Sequence, residues 1–224
     1  MTKSKMTRIL MIINIIVFVA MTLTGGSENI ENLIRFNAMN KIMVYGGHEW
    51  WRLLTASFLH IGFMHLMMNM YFLNSIGPVF ERLYGEKNYL IIYLLAGLMG
   101  NLLTYAFGDP HTVSAGASTS LYGLFGLALG IMLNYHNDEI LSSFGASFIT
   151  VIAINVIYSF LMPGIGILGH MGGLLGGFLL AGIFPIISRS LNPTTKILYL
   201  VIFIGLSLLF IIIGNKSMEG IVNF

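Results

Sequence analysis

Apolar residues in this chain come in long, nearly unbroken runs rather than in alternating or striped patterns. Seven runs can be marked, at residues 7–24, 58–80, 88–108, 116–135, 144–162, 168–188 and 196–214. Each approaches the about 20 residues that a helix needs to cross about 30 Å of hydrocarbon. Apolar β-strands separated by turns would leave a different pattern, so the runs predict an all-α bundle of spanning helices. The stretch between the first two runs, from Gly25 to about Thr55, is semi-polar, and its "VYGGHEWWRLL" carries aromatics suited to a membrane–water interface. An ordered interfacial loop with short helices is expected there, a re-entrant element being the other possibility.

Composition agrees with lipid as the solvent. Of 224 residues, 56% are hydrophobic and 9% charged, where a soluble domain carries about a quarter charged residues. Mean hydropathy is +0.85. The net charge of +2 is small and spread along the chain, which argues against a nucleic-acid partner. With no cysteine there can be no disulfide, thiol chemistry or cysteine metal site. The basic head and apolar run of "MTKSKMTRILMIINIIVFVAMTLTGG" lack a small-x-small cleavage signal, so a retained first helix is expected rather than a signal peptide.

Basic residues set the orientation. With a cytoplasmic N-terminus, the inside carries Lys3, Lys5, Arg8, Arg82, Lys87, Arg189 and Lys196, seven of the eleven. Arg35, Lys41, Arg52 and Lys216 then lie outside, a bias that favours N-terminus in and C-terminus out. The heads of the fourth and sixth runs both face the outer side in that arrangement. No internal repeat is visible.

Polar side chains at membrane depth are expensive unless they are paired or face a wet cavity, so the few present are informative. The second run, "FLHIGFMHLMMNMYFLN", carries His60, His65, Asn69 and Asn74. His65 and Asn69 share one helical face about 6 Å apart. His60, if helical, stands about 140° round and nearer the outer end. Interhelical hydrogen bonding is the plain reading of His65 and Asn69. The fourth run opens "GAST". Gly116 permits close backbone approach, and Ser118 falls in a first helical turn among unpaired N–H groups that could hold an oxyanion. An N-cap serine is the plain reading here. Ser120 lies about 200° from Ser118, so only one of the two can address a given site.

The sixth run opens "GHMGGLLGG", with His170 beside glycines at 169, 173 and 177. Such stripes let helices approach closely, and the fourth run has its own small face in Gly116, Gly123, Gly126 and Gly130. Two glycine-faced helices starting from one side would bring Ser118 and His170 into reach. A neutral imidazole is the usual base for a serine nucleophile, and with no carboxylate in place the pair would be a dyad. Tyr122, four residues after Ser118, shares its face and could orient the imidazole; an ordinary core aromatic is the other reading. A three-histidine zinc site from His60, His65 and His170 is the competing chemistry, weakened by the absence of HExxH and of a nearby glutamate.

At these residues the chain resembles the rhomboid intramembrane serine proteases. "EWWRLLTASFLH", with Trp51 and Arg52, resembles the family's loop-one Trp-Arg element. "HIGFMHLMMN", with His60, His65 and Asn69, resembles its His-x4-His-x3-Asn helix. "GAST", with Gly116 and Ser118, resembles the Gly-x-Ser-Gly nucleophile motif, and "GHMGGLLGG", with His170, Gly173 and Gly177, resembles its His-x2-Gly-x3-Gly helix. The resemblance implies a six-helix rhomboid-like transmembrane bundle over residues 1–190, with residues 191–224 adding a seventh, C-terminal transmembrane helix and tail.

It further implies an intramembrane serine endopeptidase, with Ser118 as nucleophile and His170 as general base and acid. His65, Asn69 and the Ser118 backbone N–H would form the oxyanion hole, and Tyr122 would stack on His170. Trp51 and Arg52 would hold the interfacial loop, and His60 would pack below it. Neither cofactor nor metal is implied. The partners would be transmembrane protein substrates in the lipid bilayer, most simply a bacterial plasma membrane, with the active site opening to the outer side. One departure stands out. Thr119 replaces the usual glycine after the nucleophile, and a β-branched residue there stiffens the turn and narrows the space beside Ser118. That leaves a non-cleaving, client-binding relative of the proteases as a rival. A transporter is the other, disfavoured because polar groups cluster at one end and no related halves appear.

Overall fold

The computed structural model describes residues 4–161, 164, 166–187 and 189–222, and among these regular structure is helical apart from one isolated β-bridge, Met39 to Ser114. Lys3, counted in the charge bias, and Met162 and Ser188, the last residues of two predicted runs, lie outside the described residues. Helix α1 (Lys5–Leu23) coincides with the first apolar run. Its start is held from across the bundle. The Glu81 carboxylate accepts hydrogen bonds from the backbone N–H groups of Met6 at 2.9 Å and Thr7 at 2.8 Å, and from the Thr7 hydroxyl at 2.6 Å. A carboxylate at a helix N-terminus satisfies orphan donors and opposes the helix dipole.

The loop that follows is ordered and built from short helices: α2 (Ile30–Arg35), α3 (Lys41–Tyr45), α4 (Arg52–Thr55) and a 3₁₀ turn at Ala56–Phe58. Asn29 and Asn40 cap the first two with their side chains. Lys41 is buried, and its ammonium donates to the Gly108 carbonyl and to the Ser217 hydroxyl, each at 3.0 Å. Burial pulls its pKa below the ordinary lysine value, with Asp109 opposing.

The second and third runs form one long element, α5 (Phe63–Phe107), interrupted at Gly85, whose φ of 77° no other residue adopts readily. The interruption is a reversal. A β-carbon on Gly77 would stand 2.8 Å from the Tyr89 hydroxyl, although twelve residues of continuous helix would separate them by about 18 Å. The second run was expected to be helical from residue 58, which would have put His60 on the helix. Instead the helix starts at Phe63, because Gly62 takes a φ of 81°, and His60 sits in the extended link before it.

Helix α6 (Ser118–Asn134) is the central one, with twelve of its 17 residues buried. It lies between the arms of α5 and helix α9 (Ile167–Ile183). The contact between α6 and α9 is backbone to backbone: a β-carbon on Gly173 would collide with the Thr119 carbonyl, and one on Gly177 with the Gly123 carbonyl. Between them run α7 (Glu139–Ala146), capped by the Asp138 side chain, and α8 (Ile149–Leu161). The fifth predicted run therefore begins too late, since the Asp138 cap starts the helix among polar residues before the apolar ones. Arg189 reaches Asp138 at 2.8 Å and holds that carboxyl below the usual range.

Helix α10 (Pro193–Val222) covers the α5–α9 side, where the Tyr105 hydroxyl and Asn215 Oδ1 are 2.6 Å apart. Among the described residues, four segments are long and apolar enough to cross a membrane: Lys5–Leu23, Phe63–Phe107, Glu139–Leu161 and Pro193–Glu219. Helices α6 and α9, at 17 residues each, are shorter and lie inside. The chain is an all-α, multi-pass integral membrane protein.

Candidate active site

The segment before α6 is pinned by the interfacial loop. Met39 and Ser114 exchange backbone hydrogen bonds at 3.0 and 2.9 Å, and the Gly116 N–H donates to the Ala56 carbonyl at 2.9 Å. The Ala117 N–H points at Nε2 of the fully buried His60, 3.4 Å away. Arg52 organises the loop from within. It pairs with Glu49 and donates to the carbonyls of Ile34 at 2.8 Å and Ala38 at 2.9 Å. Trp51, by contrast, is exposed, its indole N–H donating to Asn37 at 3.0 Å.

Ser118 is the first residue of α6 and is half-buried. Its Oγ lies 2.9 Å from Nε2 of His170, which is buried near the start of α9. The glycine contacts described above let the two helices lie close enough for that distance. Tyr122, one turn below Ser118, stacks on the imidazole with ring centroids 4.0 Å apart and planes 8° from parallel.

His65 faces the same place from α5. A β-carbon on Gly116 would lie 2.8 Å from its Cε1 and Nε2 and 3.4 Å from Ser118 Oγ. Gly116, at a φ of 143°, thus leaves the room that the ring occupies. Asn69 is buried and donates to the His65 carbonyl of its own helix at 2.9 Å; among the described residues it makes no bond to Ser118 or His170. His60 and His65 meet edge to face at 5.2 Å. Among the described residues no three His, Asp or Glu side chains converge as a metal site would require.

Thr119 points elsewhere than the sequence suggests. Its β-carbon and methyl face Gly100 of α5 and Gly169 of α9, so it fills an interhelical notch rather than the space beside Ser118. Among the described residues its buried hydroxyl has no hydrogen-bond partner. Gly173 and Gly177 likewise act at the helix contact and not in the cleft.

One residue at the centre escaped the sequence reading. Ser159 of α8 is buried, and its Oγ lies 2.8 Å from Nδ1 of His170 and 2.7 Å from the Tyr122 hydroxyl. The signal was available, since Ser159 and Asn155 are polar residues one turn apart in the apolar "INVIYSFL". A serine that can bond its own helix carbonyl at i−4 nevertheless looks unremarkable in such a helix. The arrangement as a whole is a serine hydroxyl beside an imidazole whose far nitrogen is also engaged, with a second imidazole close by.

The description of the rhomboid domain matches residues 47–187, a stretch that takes in every residue of this cluster. The chain is 38% identical to the rhomboid protease GluP of Bacillus subtilis over 179 residues, 80% of this chain and 34% of that one. It is 38% identical to YdcA of the same bacterium over 133 residues, 59% of this chain and 66% of that one. RHOMBOID-like protein 6, mitochondrial, of Arabidopsis thaliana is 36% identical over 153 residues, 67% of this chain and 48% of that one. The chain thus spans between a third and two thirds of the length of these relatives. With more than half of its length matched by the family's domain, this chain belongs to the rhomboid family.

Proposed function

We propose that the chain is an intramembrane serine endopeptidase that hydrolyses peptide bonds in or near transmembrane segments of other membrane proteins. The observation that carries this reading is the 2.9 Å contact between Ser118 Oγ and His170 Nε2. A serine hydroxyl is a weak nucleophile until a base takes its proton. Ser118 Oγ attacks the scissile carbonyl carbon as His170 Nε2 receives the hydroxyl proton. The carbonyl oxygen becomes an oxyanion, for which the Ser118 N–H, His65 and Asn69 are the donors. His170 then returns the proton to the leaving amine as the peptide C–N bond breaks. A water entering from the outer side loses a proton to His170 and attacks the acyl carbon, and as the ester C–O bond breaks His170 returns that proton to Ser118 Oγ, freeing the serine.

A substrate helix hides its carbonyls in hydrogen bonds, so local unwinding precedes attack, and glycine or proline near the bond should ease it. Residues 1–190 form the catalytic core of six spans in this reading, and α10 is an addition. The N-terminus lies in the cytoplasm of a bacterial cell, and the site opens outward from the plasma membrane. No cofactor is required.

Co-expression with a tagged single-span substrate tests the proposal. Cleavage by the wild type, and none by Ser118→Ala or His170→Ala at equal membrane levels, is expected. Persistent cleavage by Ser118→Ala, with loss in Ser120→Ala, would show that Ser120 and not Ser118 is the nucleophile. A fluorophosphonate probe separates a protease from a client-binding relative, because only an activated serine is labelled.

A further inference from the structure

We infer that Ser159 is a positioning residue, whose hydroxyl accepts the Nδ1–H of His170 and so holds the imidazole in the tautomer that presents a bare Nε2 to Ser118. The inference rests on the proposed protease reading. Four short contacts join the groups on the far side of the imidazole. Ser159 Oγ lies 2.9 Å from the Asn155 carbonyl, 2.7 Å from Tyr122 Oη and 2.8 Å from His170 Nδ1, and Tyr122 Oη lies 2.8 Å from the same carbonyl.

Counting hydrogens decides between the tautomers. The carbonyl can only accept, and each hydroxyl supplies one hydrogen. If Nδ1 is bare, two hydrogens serve four contacts: Ser159 either donates to Nδ1 and gives up the carbonyl, while still accepting from Tyr122, or donates to the carbonyl and leaves Nδ1 unpaired. If Nδ1 carries a proton, three hydrogens serve them. His170 donates to Ser159, and the two hydroxyl hydrogens go to the carbonyl and to the contact between Ser159 and Tyr122. The Nδ1–H form makes three hydrogen bonds among these buried groups where the bare form makes two, so the network favours the Nδ1–H form. That form leaves the Nε2 lone pair facing the Ser118 hydroxyl, which is the state a general base needs.

Ser159 is more than a serine satisfied within its own helix. Its bond to Asn155 spends its single hydrogen, and its lone pairs remain to accept from His170 and Tyr122. The hydroxyl therefore occupies the place that a carboxylate takes in a serine–histidine–aspartate triad. Being neutral, it orients the ring without bringing a buried charge into the bundle.

Two measurements test this on the intact protein in lipid nanodiscs. The first is the 15N spectrum of histidine-labelled wild type, with the His170 signal identified among the six histidines by its loss in His170→Asn. Protonation at Nδ1 is expected, and protonation at Nε2 alone overturns the inference whatever any variant does. The second is turnover of a single-span substrate. Ser159→Ala should lower kcat about tenfold with KM little changed, as loss of one well-placed hydrogen bond predicts. Ser159→Thr, which keeps the hydroxyl, should recover most of that loss. Wild-type kcat in Ser159→Ala, or a change in KM alone, overturns the positioning role while leaving the protease reading intact. Absence of both cleavage and fluorophosphonate labelling in the wild type would instead sink the protease reading itself.

Discussion

Gly177 of α9 lies so tightly against the Gly123 carbonyl of α6 that no side chain fits between them. The contact lies about one and a half turns below Ser118 and two below His170, and the 2.9 Å approach of those residues depends on it. Gly177→Ala should push the helices apart, costing about 1–3 kcal/mol of stability as overpacked sites do. A shift of about 1 Å at reacting groups can cost about a hundredfold in rate. Thermal unfolding in detergent, together with fluorophosphonate labelling, checks both effects. Unaltered labelling in a folded Gly177→Ala protein would contradict the dependence.

The Thr119 hydroxyl is buried without a partner among the described residues, while its methyl fills a notch between Gly100 and Gly169. Thr119→Val keeps the shape and removes the unpaired group, so it should match or exceed the wild type in melting temperature and cleave normally. Thr119→Gly, although it restores the usual family residue, should lower the melting temperature by leaving a void. A gain in stability for Thr119→Gly would show that the side chain strains the notch instead of filling it.

Tyr122 offers two separable contributions. Tyr122→Phe keeps the ring on His170 but loses the hydroxyl that touches Ser159 and Asn155, and turnover should fall by a few-fold, about the worth of one hydrogen bond. Tyr122→Ala removes the stacked ring as well and should reduce turnover by about a hundredfold through misplacement of the imidazole. Single-turnover cleavage, with expression and labelling as controls, distinguishes the two variants.

Asn69 is the sharpest test of the oxyanion assignment, because its amide is turned onto its own helix at rest. Removing one oxyanion-hole donor costs about 10²–10³ in kcat, so Asn69→Ala should fold and insert normally yet be crippled in turnover. Cleavage by Asn69→Ala at the wild-type rate would remove it from the hole.

His60 acts through the backbone. Its Nε2 faces the Ala117 N–H, immediately before the candidate nucleophile. His60→Ala leaves that buried donor unpaired, at a cost of about 1–3 kcal/mol. Lower thermal stability with a proportionate loss of labelled serine is expected, and unchanged melting would argue against the role.

Much of this was legible because lipid makes polarity conspicuous. Ser118, His65, Asn69 and His170 stood out in otherwise apolar runs, and the glycines at 173 and 177 suggested where two helices could approach. The chain reversal at Gly85 was also visible as a polar gap between runs. Local conformation was less so. The positive φ of Gly62 moved His60 off its helix, and the Asp138 cap carried α7 into residues that hydropathy alone excludes. Helices α6 and α9 came out at 17 residues, since buried helices are bounded by their neighbours rather than by bilayer thickness. Ser159 was the largest omission. Asn155 and Ser159, one turn apart, hinted at a polar face on α8, but nothing in the sequence said which helix that face meets.

Helix α8 has a further consequence. Only 11% of an 18-residue apolar stretch within Glu139–Leu161 is buried in the protein, so this segment answers mainly to the surrounding lipid. Segments whose length mismatches the local hydrocarbon thickness accommodate by tilting. Tilting α8 would carry Ser159 away from the imidazole it touches. On the proposed protease reading, acyl-chain length should therefore set the rate of cleavage, so that one polypeptide runs at different rates in thin and thick bilayers without any regulatory ligand.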